Sequence, residues 1–437
     1  MGNAEASADD RYRRMAQILH DVAKPMRVLA ALNWPGELRT QFLATEGSQL
    51  PAPSYKPIDP KPVIDGVAEV RRLLGSGNEV VDRWFEREAD CVEATARMLS
   101  TLGTPDFHTH SAQLYGVPKR PMPLDPATPL GLAEQVHQSI AELTQVKLIP
   151  TAKRDQTSAQ VAAEIEVEVK RHFGEVAPKI EIVAELSANA LATSSRIKIR
   201  RDAMFTRRDA AQLLHHEGYV HVLTALNGQA QPDLPNLAIG HPGTTRAQEG
   251  LAVFAEFVSG TLELDRLRRL ADRVVAVQMV CDGADFIELY RWFLERSPSR
   301  EQAYESARRI FRGAPLTGGA PVTKDCGYIA GLLGVKTFVR AAFVADRADI
   351  LGTLFCGKLD LTAIPALSIL RSRGLCRPAR FLPPWALDPG WVLSYLTLNA
   401  FMSRVDLTAV SEALRNLLSE CPRLQVRTAE EVLAGAH

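Results

Sequence analysis

The segment His215-His216-Glu217-Gly218-Tyr219-Val220-His221 constrains this chain more than any other. It reads H-E-x-x-x-H: two metal-ligand types with a carboxylate beside the first. The common zinc-peptidase pattern, H-E-x-x-H, has one residue fewer between its histidines. In a regular helix each residue turns by about 100°, so positions i and i+4 lie about 40° apart and positions i and i+5 about 140° apart. His216 and His221 therefore cannot both face one ion from a regular α-helix. A π-type irregularity absorbs one extra residue and brings i and i+5 back to one face. Gly218 is where such a distortion is expected to be easiest, because glycine tolerates unusual backbone angles. Spacing alone leaves two readings open: an irregular helix holding a metal, or a regular helix with two satisfied histidines and a surface glutamate.

The flanking sequence places this segment on a helix. Lys179 to Leu186 and Ser195 to Arg200 are rich in β-branched residues, and Ile197 and Ile199 alternate with charged neighbours as in a strand with one wet face. Thr206 and Asp209 have capping-box spacing, and Asn227-Gly228 is a stop signal. A further helix is expected from Thr245, with Gln248 as its capping partner. Glu249 would sit in its first turn, ahead of the apolar run Val253, Phe254, Ala255. A carboxylate there needs the helix N-terminus or a partner. Two histidines, one glutamate and a water form the ligand set of many hydrolytic zinc sites. Glu217, beside a ligand but not itself one, would then be the general base. Glu256, seven residues after Glu249 and on the same face, is a candidate hydrogen-bond partner for a ligand histidine.

Elsewhere the pattern is helical. Amphipathic stretches run from Tyr12 to Leu32, Ile64 to Leu74, Val80 to Leu102, Leu132 to Leu143 and Ser158 to Phe173, with proline-rich connections at Leu50 to Pro62 and Val117 to Pro129. Met1 to Asp10 read as a frayed tail. The expected class is α+β, mainly helical. A helical lobe over residues 11–150 would precede a zincin-like lobe with a small sheet and C-terminal helices over residues 151–437. Lys plus Arg equals Asp plus Glu at 51 each, which gives no electrostatic argument for nucleic acid or an anionic membrane. No stretch reads as a membrane span. The six widely spaced cysteines fit reduced thiols and a cytoplasmic location. Other histidines read as incidental: His108 and His110 in a loop, His241 in a turn. His215 has worse spacing to His221 than His216 has. The Arg11 to Arg14 and Arg266 to Arg269 clusters read as solvated helix faces.

HHEGYVHVLTALNGQAQ followed by TTRAQEGLAVFAEF resembles the bacterial flavohaemoglobin expression-modulating QEGLA motif proteins. These group with the eukaryotic microtubule-associated tyrosine carboxypeptidases, which remove the C-terminal tyrosine of α-tubulin. ALNWP, LYG, CDGADFIELYRWFL, FRG, TKDCGY and FLPPWA extend the likeness from about residue 11 to 410. The resemblance implies one zinc per chain on His216, His221 and Glu249, Glu217 as catalytic glutamate, and hydrolysis at a peptide or protein C-terminus. This chain has HEGYVH where the eukaryotic motif is HEIGTH, which bears on substrate preference and leaves the ligand positions intact. A carboxypeptidase must also hold a terminal carboxylate and stabilise an oxyanion. Arg312 and Lys324 are candidates for the first role and Tyr328 for the second. The rival readings are a zinc amidase acting on a small or modified peptide, and a non-catalytic regulatory protein with a vestigial site.

Overall fold

A computed structural model describes residues 2–75, 78–122, 126–143, 153–184, 186, 188–406 and 408–419. The class is the expected one, α+β and mainly helical. The sheets are small. Lys179–Val183 runs parallel to Arg196–Arg200, which pairs antiparallel with Ala190–Ala192. Ile197 and Ile199 are fully buried while Arg196, Lys198 and Arg200 are not, as the alternation requires. Gln156–Thr157 and Met204–Phe205 form a separate antiparallel pair. The helix Ser158–Phe173 starts at a complete capping box between Thr157 and Gln160.

The N-terminus differs from its reading. A helix spans Gly2–Ala23; Ala8 is buried and Asp9 pairs with Arg373 at 2.6 Å. Small acidic residues lack an apolar stripe, so this long-range anchoring is invisible locally. The helix stops before Pro25 and a short one follows at Val28–Ala31, consistent with a proline that cannot continue an α-helix. His108 and His110 lie on the helix Asp106–Tyr115 rather than in a loop, with His108 Nδ1 2.7 Å from the Pro321 carbonyl.

The boundary expected near residue 150 lies outside the described residues, and hydrophobic cores run across it. Tyr12, Met15, Trp84 and Phe85 belong to one buried cluster with Val169, Ile199, Val220, Phe254 and Leu367. Trp34 and Phe42 pack into a second with Phe286, Tyr304 and Phe311. The motifs lock together across the chain: Trp34 Nε1 donates to Tyr55 Oη at 2.7 Å, and the backbone N–H of Gly313 donates to the same oxygen at 2.9 Å.

One stretch, Lys324–Val344, is long and apolar enough to cross a membrane by length and composition, which the sequence reading did not anticipate. Here its helix, Gly327–Val344, packs along Thr245–Val258. The contact is close because glycines face each other. A Cβ on Gly250 would lie 2.2 Å from the Gly331 carbonyl carbon, and one on Gly331 would lie 2.3 Å from the Arg246 oxygen.

Candidate metal centre

Leu214–Val222 is a π-helix inserted between α-helical turns Asp209–Leu213 and Leu223–Gln229. The irregularity demanded by the H-E-x-x-x-H spacing is therefore present. Gly218 lies within it, and its φ is not in the left-handed region. A Cβ there would meet only the Leu214 and Val169 side chains, at 3.2 and 3.5 Å. The start of this helix also differs in detail. The backbone N–H of Thr206 donates to Asp209 at 2.7 Å, but the Thr206 hydroxyl caps nothing. The helix ends at Gln229, one residue past the expected Asn227-Gly228 stop; Asn227 clamps the Phe355 and Phe381 backbones, and Gly228 lets the Leu237 carbonyl approach.

The π-turn puts the two imidazoles side by side, with ring centroids 4.9 Å apart. Glu249 comes from the first turns of Thr245–Val258. No capping box forms at that end; Gln248 instead lies 2.9 Å from the Thr224 hydroxyl on the π-helix side. Glu249 Oε2 is 3.6 Å from His216 Nε2 and 3.6 Å from His221 Nε2. All three donor atoms lie within 4.8 Å of one another. Donors about 2.1 Å from a tetrahedral zinc are separated by about 3.4 Å, so this trio fits such an ion. The other oxygen of Glu249 accepts from Lys324 Nζ at 2.7 Å, which leaves Oε2 facing the histidines. Behind His216, Glu256 Oε1 lies 2.7 Å from Nδ1, and Glu256 is completely buried. This orients the ring and directs Nε2 at the site. Glu217 is buried in the same turn.

The carboxylates set the charge states. Burial opposes a charged His216, but Glu249 and Glu256 overcome it and lift the imidazole to about 10. His221 moves the other way: burial lowers it, His216 and Lys358 add to the fall, and Glu249 offsets only part of it. Burial would raise Glu249, yet Lys324 and the two histidines hold it well below the usual carboxylate range. In the metal-free protein a proton on His216 thus competes with a cation.

Tyr328 and Lys324 converge on the same place. Lys324 Nζ is 3.3 Å from Tyr328 Oη, and Arg309 donates to that oxygen at 2.8 Å. Lys324 does not pair with Asp325; Asp325 is bound by Arg309 at 2.8 Å. Arg312 Nε is buried without a hydrogen-bond partner. Burial lowers the Arg312 guanidinium to about 10, with Arg309 and Arg308 adding repulsion. His241 stays away from the trio and pairs with Glu88 at 3.0 Å.

Sequence reasoning missed three site cations. Arg266 is not a solvated face residue: it donates to Glu256 at 3.2 Å. Arg309 holds Tyr328 and Asp325. Lys358 Nζ donates to the His221 carbonyl at 2.8 Å. Burial lowers Lys358 to about 8, against the pull of Glu249 and Glu217. None carries a local signal beyond being charged, although two buried acids on one apolar helix do require cations somewhere.

Glu256 and Asp325 make a pH prediction. Burial would raise both, but Arg266 and His216 hold Glu256 at about 2, and Arg309 and Arg273 hold Asp325 at about 2. Their folded values lie below the unfolded value of about 4, so their stabilisation is present above that pH and is lost as pH falls toward 2. Denaturant midpoints should decline across this window, and Asp325→Asn should flatten part of the decline. An unchanged slope in Asp325→Asn would contradict the Asp325 assignment.

No curated protein matches this chain. Residues 40–404, which include the trio and the cations around it, match the family described as microtubule-associated tyrosine carboxypeptidase. That span covers most of the chain, so the protein belongs to this carboxypeptidase family.

Proposed function

We propose that the protein is a zinc-dependent carboxypeptidase that removes one residue from a peptide or protein C-terminus. The observation that carries this reading is the convergence of His216 Nε2, His221 Nε2 and Glu249 Oε2, with Glu256 fixing the first ring. A zinc ion held there would polarise a carbonyl and lower the pKa of bound water toward ~7. Glu217 takes the proton from the attacking water and passes it to the leaving amine. Tyr328, held by Arg309 and Lys324, donates toward the oxygen that gains charge. Arg312, whose buried Nε lacks a hydrogen-bond partner, and Lys324 are the cations assigned to the terminal carboxylate. The free thiols of Cys91, Cys281, Cys326, Cys356 and Cys376 favour a reducing, cytoplasmic setting.

Peptides varied only in the last residue, each as free acid and as amide, test this reading. Release of a single residue from free acids alone is the expected result and would rank residue preference. Equal cleavage of amides would favour the amidase reading. Loss of the Arg312 charge in Arg312→Met should raise KM for free acids by about 10–100-fold, the range for a lost charge-assisted hydrogen bond, with a smaller change in kcat.

A further inference from the structure

The π-helix brings the histidines together by carrying wider backbone hydrogen bonds, as where the Leu223 N–H reaches the Gly218 carbonyl as well as that of Val220. At the C-terminal end of the segment, two consecutive carbonyls receive side-chain donors. The Thr224 hydroxyl lies 2.7 Å from the Val220 oxygen, and Lys358 Nζ lies 2.8 Å from the His221 oxygen. Lys358 comes from a distant part of the chain and is itself pinned. Its backbone N–H donates to the Leu237 carbonyl at 2.8 Å. Gly357 permits that approach, since a Cβ there would lie 2.6 Å from the Leu237 oxygen. The side-chain stem runs beside Gly240, where a Cβ would lie 3.7 Å from Lys358 Cγ.

We infer that Lys358 is a positioning residue for the metal centre: by donating to the His221 carbonyl it holds the π-turn in the geometry that aims His221 at the point His216 and Glu249 share. This rests on the zinc reading above. The role has a distinctive sign. Lys358 carries a charge that faces Glu217 and Glu249, so by electrostatics alone its removal would favour a dication. Loss of its hydrogen bond would disfavour one, because supports behind ligands are worth about 10–100-fold in metal affinity.

The test is chelator competition for zinc on the wild-type protein, Lys358→Met and Lys358→Arg, with the melting temperature of each apo protein measured alongside. Lys358→Met should bind zinc about 10-fold or more weakly, Lys358→Arg should stay close to wild type, and the apo melting temperatures should agree. Zinc binding by Lys358→Met as tight as wild type, or tighter, overturns the inference. So does a lower apo melting temperature with unchanged zinc affinity, which is what a merely structural contact would give. Should Lys358→Met fail to fold, Lys358→Gln removes the charge and shortens the reach toward the His221 carbonyl. Weaker zinc binding on an intact apo fold then supports the inference, and unchanged binding overturns it. A wild-type protein that binds no zinc would sink the metal reading itself, an outcome set apart by the failure of the unmutated chain.

Discussion

Replacing Glu217 by Gln should lower kcat/KM for a C-terminal residue by about 10²–10⁴-fold, the usual contribution of a positioned general base, and leave zinc retention unchanged. The amide keeps the size of the carboxylate and removes its basicity. Glu217 is not among the three converging donors, so the substitution separates metal binding from proton transfer. The loss should fall on kcat, since Glu217 acts on the water and the leaving group rather than on the substrate carboxylate. Activity assays paired with metal analysis check it. A Glu217→Gln protein with undiminished hydrolysis would show that the base lies elsewhere. A protein that loses zinc as well would show that Glu217 holds the ion.

The second large effect is expected at Gly250. Its Cα side faces Gly331 so closely that a methyl group would overlap the Gly331 carbonyl carbon at 2.2 Å and its oxygen at 2.3 Å. Both contacts are backbone, so no rotamer change relieves them. Gly250→Ala must push Thr245–Val258 away from Gly327–Val344, with destabilisation of about 3 kcal/mol, the upper end for overpacking. The separation also acts on the site: Glu249 leads one helix, and Lys324 and Tyr328 lie at the start of the other. Zinc affinity should therefore fall together with stability. Gly218→Ala is the control. The new methyl would press only on the Leu214 and Val169 side chains, and alanine is the better helix former by about 1 kcal/mol. The net change should be small. Denaturant melts of the two variants decide this. Equal stabilities would contradict the proposed role of the glycine contact.

These two glycines illustrate what was legible in the sequence. The demand for an irregular helix follows from spacing, because five residues of ordinary helix carry two side chains to different faces. Glu256 is equally legible, seven residues from Glu249 and on its face. The backbone freedom of Gly218 is not drawn upon, because its φ lies outside the left-handed region and a π-turn is built from ordinary helical angles. Gly250 serves a partner 81 residues away, Gly331, and local sequence carries no trace of that. Thr245 and Gln248 had capping-box spacing, yet Gln248 faces Thr224 instead, a tertiary contact displacing a local one. Arg266, Arg309 and Lys358 were illegible for the same reason. Each is one arginine or lysine among many until folding sets it against a buried acid or a backbone carbonyl.

The central claim is that three side chains hold one zinc on which hydrolysis depends. The direct measurement is release of a C-terminal amino acid by chelator-stripped protein as zinc is added back. The account predicts negligible release from the stripped protein and recovery that saturates at one equivalent of zinc per chain, with no recovery in His221→Ala. Undiminished release from metal-free protein would contradict it.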